Sequence, residues 1–182
     1  STSRRQRQMC IRDSGIRGVS KVLDDRMLMG SDLKLELVVK KQITGNSIKD
    51  YPEIVFKGAE NPLVSIIIPV YNQFDYTYAC LRSIFENTGD INYEIIIADD
   101  CSNDLTKNIC EVVKGIHVEK TQGQSYFLRN CNHAAKAAKG KYIVFLNNDT
   151  QVQENWLKPL VDLMERDSKI GMAGSCLVYP DG

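Results

Sequence analysis

Three clusters of polar side chains each follow an apolar run: Pro69-Val70-Tyr71-Asn72, Asp99-Asp100 and Asn147-Asn148-Asp149. The third points to the most definite chemistry. A carboxylate such as Asp149 can hold a divalent cation, and Mg²⁺ typically takes only one or two protein carboxylates while a ligand's phosphates complete its shell. Asn147 and Asn148 add amide oxygens that accept without adding charge. A structural alternative stands beside this one, in which Asn148 or Asp149 caps the following helix.

Such clusters act together only if the backbone brings them together. Tyr142 to Leu146 is a short apolar run with no room for a helical period, so it predicts a strand buried on both faces. Val64 to Val70 (VSIIIPV) predicts a second, with Pro69 restricting its ladder. Tyr93 to Ala98 predicts a third, and Ile116 to Glu119 and Met172 to Tyr179 two more. Between the strands, apolar spacings predict four helices. The first runs from Asp75, its cap, to Asn87, and the second carries Leu105, Ile109, Val112 and Val113 behind a cap at Ser102 to Asp104. The third covers Ser125 to Ala138, burying Phe127, Leu128, Cys131, Ala134, Ala135 and Ala138, with Gly140 to end it. The fourth carries Leu157, Leu160, Val161 and Met164. Strands alternating with helices specify an α/β fold, a Rossmann-like, mostly parallel sheet flanked by helices. Ligands of such sheets bind outside the carboxyl ends of the strands, where the three clusters fall.

At 182 residues the chain has room for one domain with a sizeable core. A net charge of zero gives no reason to expect nucleic acid as a partner. No apolar run is long enough to span a membrane, and no secretory signal is visible. The six cysteines lack metal-ligand spacing, and Cys80, Cys110 and Cys131 fall at apolar helix positions, which predicts reduced core thiols in a cytoplasmic protein. Residues 1–14 contain RRQRQMCIRDS, and the DNA that would encode Arg4 to Asp13 resembles a transposase-based sequencing adapter read in frame. They are expected to be a non-native tail, without which the chain is mildly acidic. Residues 15–61 are weakly patterned and are expected to be a linker or the end of a preceding segment.

The loop chemistry separates the classes of α/β protein. After the first clear strand the chain reads Pro69-Val70-Tyr71-Asn72-Gln73-Phe74, without the glycines of a dinucleotide-binding turn or a phosphate-cradling loop. A phosphoacceptor receiver-type signalling domain would use an acidic pair such as Asp99-Asp100, yet it would place that pair after its first strand and a lysine after a later one. Here Lys158 falls in a predicted helix.

Taken in order, VSIIIPVYNQ, EIIIADDCSND, FLRNCNHAAKAAKGKYIVFLNNDT and GMAGSCLVYPDG resemble the inverting family-2 glycosyltransferases over residues 62–182. Each motif is weak alone; the ordered set is specific. The resemblance implies a GT-A fold whose donor-binding half holds a nucleotide-diphosphate sugar, of UDP or dTDP type, for transfer with inversion to a glycan or lipid-linked acceptor. It also implies polysaccharide assembly, with peripheral membrane association of the full-length enzyme at the inner face of the cell membrane. Pro69, Tyr71 and Asn72 would line the nucleoside pocket, with Tyr71 against the base. One carboxylate of Asp99-Asp100 would accept from base or ribose while the other holds the Ser102 to Asp104 turn. Asn147-x-Asp149 stands at the family's Asp-x-Asp motif, so Asp149 is the expected ligand of Mg²⁺ or Mn²⁺, with Asn147 and Asn148 beside the nucleotide.

Two departures from the family stand out. Tyr126 occupies a position where the family commonly has glycine, in Gln124-Ser125-Tyr126-Phe127. Arg129, Asn130 and Asn132 face either donor or solvent, and His117 and His133 are expected at the surface. Inversion needs a general base in reach of the acceptor hydroxyl. No carboxylate after Asp149 matches the family's base, so the base is expected beyond Gly182.

Overall fold

The structure, a computed structural model, describes residues 38–89, 91–175 and 177. Strand β2 (Val64–Val70) sits inside a four-stranded parallel sheet, between β3 (Tyr93–Asp99) and β6 (Tyr142–Phe145), and β5 (His117–Lys120) flanks β3 on the far side. All seven β2 residues are buried, as the unbroken apolar run predicts. Because side chains alternate, the strands serve two cores. Ile66, Ile68, Ile95 and Ile97 pack toward helix α1 (Phe74–Asn87), whose Tyr78, Leu81 and Ile84 are buried, and toward Val161 of helix α3 (Lys158–Arg166) and Leu157 just before it. Ile67, Ile96 and Ala98 face the alanines of helix α2 (Tyr126–Ala135) and the turn after it.

Pro69 is accommodated by direction. The carbonyls of Leu63 and Ile67 accept from Tyr142 and Leu146 of the β6 side, at 3.0 Å each, so odd-numbered β2 residues point that way. Pairing with β6 stops at Ile67↔Phe145, so the N–H that Pro69 lacks faces a position beyond the ladder.

Several expectations change. The Tyr142–Phe145 strand lies at the edge of the four-stranded sheet; Ile143 and Phe145 are exposed, because α2 covers β2 and β3 but not this edge. The segment after Ser102 forms a 3-10 helix, Leu105–Glu111, and Val113 leaves it for strand β4 (Val113–Lys114), which pairs with β1 (Ile54–Val55). That pairing, with buried Tyr51, Ile54 and Phe56, brings part of the stretch expected as a linker into the core. Gly115 follows at φ +74, where an added Cβ would lie 2.2 Å from the Phe56 carbonyl oxygen. Asp75 is not a cap: α1 begins after Gln73, and the Asp75 carboxylate accepts from the Tyr51 hydroxyl. Helix α2 ends at Ala135, and Phe127 and Leu128 are exposed. Gly140 therefore does not terminate it; its role is close approach, since a Cβ there would meet Ser65 N at 2.5 Å. Cys80 and Cys131 are buried, but Cys110 is exposed. Residues 171–175 and 177 form no strand, and the rest of the predicted Met172 to Tyr179 strand, like residues 1–14 and 15–37, lies outside the described residues.

Candidate functional site

β2, β3 and β6 are mutually parallel, so their carboxyl ends, and the three polar clusters, share one edge of the sheet. The turn after β2 is unusual for its residue types. Asn72 and Gln73 both adopt left-handed backbone, at φ 57 and 61, a region asparagine tolerates better than most residues. The reason is visible in the neighbouring loop. Asn72 N–H donates to Ser102 Oγ at 2.7 Å, and Asn72 Oδ1 accepts from Asn103 N at 2.8 Å and Asp104 N at 3.3 Å. Asp104 in turn accepts from Phe74 N at 3.0 Å and Thr106 N at 2.9 Å, which caps α1 from a distant loop and starts the 3-10 helix. The turns after β2 and β3 are stitched into one unit. Within it Pro69 is buried and Tyr71 is 49% exposed, its ring reachable from solvent.

The acidic pair divides its work. Asp99 Oδ1 accepts from Ser102 N at 2.8 Å, holding the Ser102 to Asp104 turn. Asp99 Oδ2 is buried without a hydrogen-bond donor, and the Lys120 ammonium lies 3.6 Å away. Asp100 Oδ1 accepts from Thr121 Oγ1 (3.1 Å), Ser125 N (2.6 Å) and Ser125 Oγ (2.9 Å), and its Oδ2 from Tyr126 N (2.9 Å). Burial works against the Asp100 charge, but the Ser125, Thr121 and Tyr126 donors outweigh it and hold the carboxyl below its ordinary value. This carboxylate, just past the end of β3, therefore satisfies the amino end of α2. Sequence reasoning missed Thr121, Ser125 and the Tyr126 N–H; Ser125 stands at the N-cap of α2 but makes no cap bond there, which its residue type does not signal. Tyr126 keeps φ +62, the conformation that favours glycine, with its ring 74% exposed.

Asn147 to Thr150 is a turn, in which Thr150 N and Oγ1 donate to the Asn147 carbonyl at 3.3 and 2.7 Å. Asn148 Nδ2 donates to Thr77 Oγ1 of α1 at 3.0 Å. The helix-cap alternative does not hold, because α3 begins at Lys158 behind Leu157. Asn147 and Asp149 are exposed. Beneath them Cys80 is fully buried, its thiol pushed up to about 12 by burial and then by the charge of Asp149. Among the described residues no three His, Cys, Asp or Glu gather into a metal cage. One carboxylate flanked by amide oxygens fits a hard cation completed by a ligand's phosphates, and does not fit a structural site built of protein alone. His117 and His133 lie at the surface, both near Glu119 (2.6 and 3.4 Å). Asn130 is buried and donates to the Ala98 carbonyl, whereas Arg129 and Asn132 are exposed.

Comparison with known proteins agrees with this geometry. The chain is 34% identical over 126 residues to the putative teichuronic acid biosynthesis glycosyltransferase TuaG of Bacillus subtilis (strain 168), covering 66% of this chain and 50% of TuaG. It is 42% identical over 91 residues to the UDP-Glc:alpha-D-GlcNAc-diphosphoundecaprenol beta-1,3-glucosyltransferase WfaP of Escherichia coli, covering 48% of this chain and 35% of WfaP. Thus the chain spans half or less of the length of these relatives. Among solved structures, S. aureus TarS superposes with a TM-score of 0.51 at 26% identity, over 57% of this chain and 19% of TarS. There is no sign of a receiver domain. The match to "Glycosyl transferase family 2" runs over residues 65–182, and with the parallel sheet and its helices arranged as in GT-A glycosyltransferases, the chain belongs to that family.

Proposed function

We propose that residues 62–182 are the donor-binding domain of an inverting glycosyltransferase, which holds a nucleotide-diphosphate sugar and a divalent metal at the carboxyl ends of β2, β3 and β6. The observation that carries this reading is the Asn147 to Thr150 turn: within a family-2 sequence, it presents Asp149 on the strand edge shared with the Tyr71 and Asp99 turns. Tyr71 offers a half-exposed ring to the base, a contact that needs no particular base identity. Asp99 Oδ2 still lacks a donor, so it is assigned to accept from base or ribose, while Asp100 positions the 121–126 loop. Asn72 acts by fixing the turn that carries Tyr71, and Pro69 by ending the ladder beneath it.

Asp149 would hold Mg²⁺ or Mn²⁺, with Asn147 and Asn148 beside the nucleotide, and such a metal supplies charge neutralisation on a departing diphosphate. The WfaP name supports a UDP-hexose donor and a lipid-linked acceptor carrying a diphosphate. Among the described residues no helix is long and apolar enough to cross a membrane, and the reading places the enzyme in the cytoplasm, peripheral to the membrane. We assign the general base to neither Asp162 nor Glu165. Asp162 pairs with Lys158 at 2.7 Å, and Glu165 with Lys141 at 2.7 Å and the Tyr142 hydroxyl at 2.8 Å, on the exposed side of α3.

Calorimetric titration of UDP with and without Mn²⁺ tests the reading. The wild-type chain is expected to bind only with metal, at about 0.1–1 mM, or about 4–5.5 kcal/mol. Asp149→Asn is expected to abolish that binding, and Asn147→Ala to weaken it far less. Equal metal-dependent binding by wild type and Asp149→Asn would reject the site.

A further inference from the structure

We infer that the groove between β5 and α2 is a second anion site, one that takes a phosphate-bearing group without a metal. The groove is open to solvent, with room of about 500 Å³, and Lys120, Gln122, Arg129, Asn132, His133 and Lys136 line it. Asn132, His133 and Lys136 follow Arg129 by three, four and seven residues, which lays them along one stripe of α2 and its C-terminal cap residue. The opposite stripe, with Asn130, Cys131 and Ala134, is buried against the sheet.

The charge of the groove is not balanced locally. Glu119, the neighbouring acid, already faces His117 at 2.6 Å and His133 at 3.4 Å. Lys120 faces Asp99 at 3.6 Å. Among the described residues, Arg129 and Lys136 have no carboxylate partner within ion-pair distance. Two cations two turns apart on one helix stripe repel each other weakly, and an anion between them reverses that sign. A flat, solvated helix face would present the same charges, but this one is concave and adds neutral donors from Gln122 and Asn132. Arginine supplies the planar fork that matches phosphate oxygens, and lysine a point charge. The groove has room for a phosphate attached to a larger body. The Thr121 and Ser125 hydroxyls at the groove's rim already donate to Asp100, so the groove's own side chains would do the binding.

This site involves neither Asp149 nor a metal, so it stands or falls apart from the donor-site reading. Pyrophosphate titrated into the full chain in EDTA at low ionic strength is expected to bind. Arg129→Gln with Lys136→Gln should weaken it at least tenfold, Asp149→Asn should leave it unchanged, and high salt should remove it. Both substituted side chains are exposed, and the thermal melt of the double variant serves as the folding control. Lys136→Glu alone should weaken binding further than Lys136→Gln, because it reverses the charge that faces the anion. A second arm sediments the protein with vesicles of equal parts phosphatidylcholine and phosphatidylglycerol. Capture by wild type and not by the double variant supports the site with a lipid headgroup as the phosphate source; pyrophosphate binding without capture supports it with a soluble source. Absence of both, or equal binding by the double variant, overturns the proposal.

Discussion

Asp100 directly follows β3, and its side-chain hydrogen bonds all go to residues 121–126, so the loop before α2 is anchored by a single buried carboxylate. Removing its charge leaves those donors facing a weaker acceptor, and Asp100→Asn is expected to cost about 1.5–3 kcal/mol. The sign with pH follows from the depressed carboxyl. The contribution is complete above the ordinary aspartate value of about 3.9 and is lost as pH falls through the lower, folded value. Denaturant midpoints measured between about pH 6 and about pH 2 should therefore fall on the acid side in wild type and fall less in Asp100→Asn. The sequence pointed to an acidic pair with one member holding the Ser102 to Asp104 turn, which is Asp99, but not to the hold of Asp100 on residues 121–126. Asp99 ends β3 and Asp100 starts the turn after it, and nothing in the pair itself says which one meets the amino end of a helix about 25 residues away. Tyr126 was legible as a departure from the family, yet its backbone kept the glycine-type conformation, because the Asp100 contact needs the N–H there and not the side chain.

The elements were most legible where burial is complete. Val64 to Val70 read from its apolar run is β2 as observed, and Tyr93 to Ala98 is β3 short of its last residue. Both are interior strands, and continuous apolarity is what two covered faces require. β6 has the same kind of run but an edge position, since periodicity reports how apolar a strand is and not who its neighbours are. The β1–β4 pairing escaped notice because two residues per strand are too few to show a period. Gly140 shows how a local reading can name the right residue for the wrong reason. It lies where the chain enters β6, donating to Ser65 Oγ at 2.8 Å, while Ser65 Oγ donates to Glu94 at 2.6 Å. Gly140→Ala would press a methyl group into the β2 backbone, and an overpacking cost of about 1–3 kcal/mol is expected in urea unfolding.

At the scale of the whole molecule, the ordered motifs identified the family and pointed to the sheet edge of the candidate site, whereas the stitching of that edge by Asn72, Ser102 and Asp104 is visible only in the fold. The placement of β2 between β3 and β6 also has a consequence for the order of assembly. Ile66 pairs with Ile95 on one side and with Val144 on the other, so the second pairing closes a loop more than twice as long. In chain entropy that costs about 0.9 kcal/mol more. The β2–β3 pair is thus expected to form in the folding nucleus and β6 to join afterwards. In stopped-flow experiments Ile95→Val should chiefly slow folding, and Val144→Ala should chiefly speed unfolding. Until β6 arrives, the Ser65 and Ile67 backbone groups form an open strand edge that another chain can occupy, so refolding yield should fall as protein concentration rises.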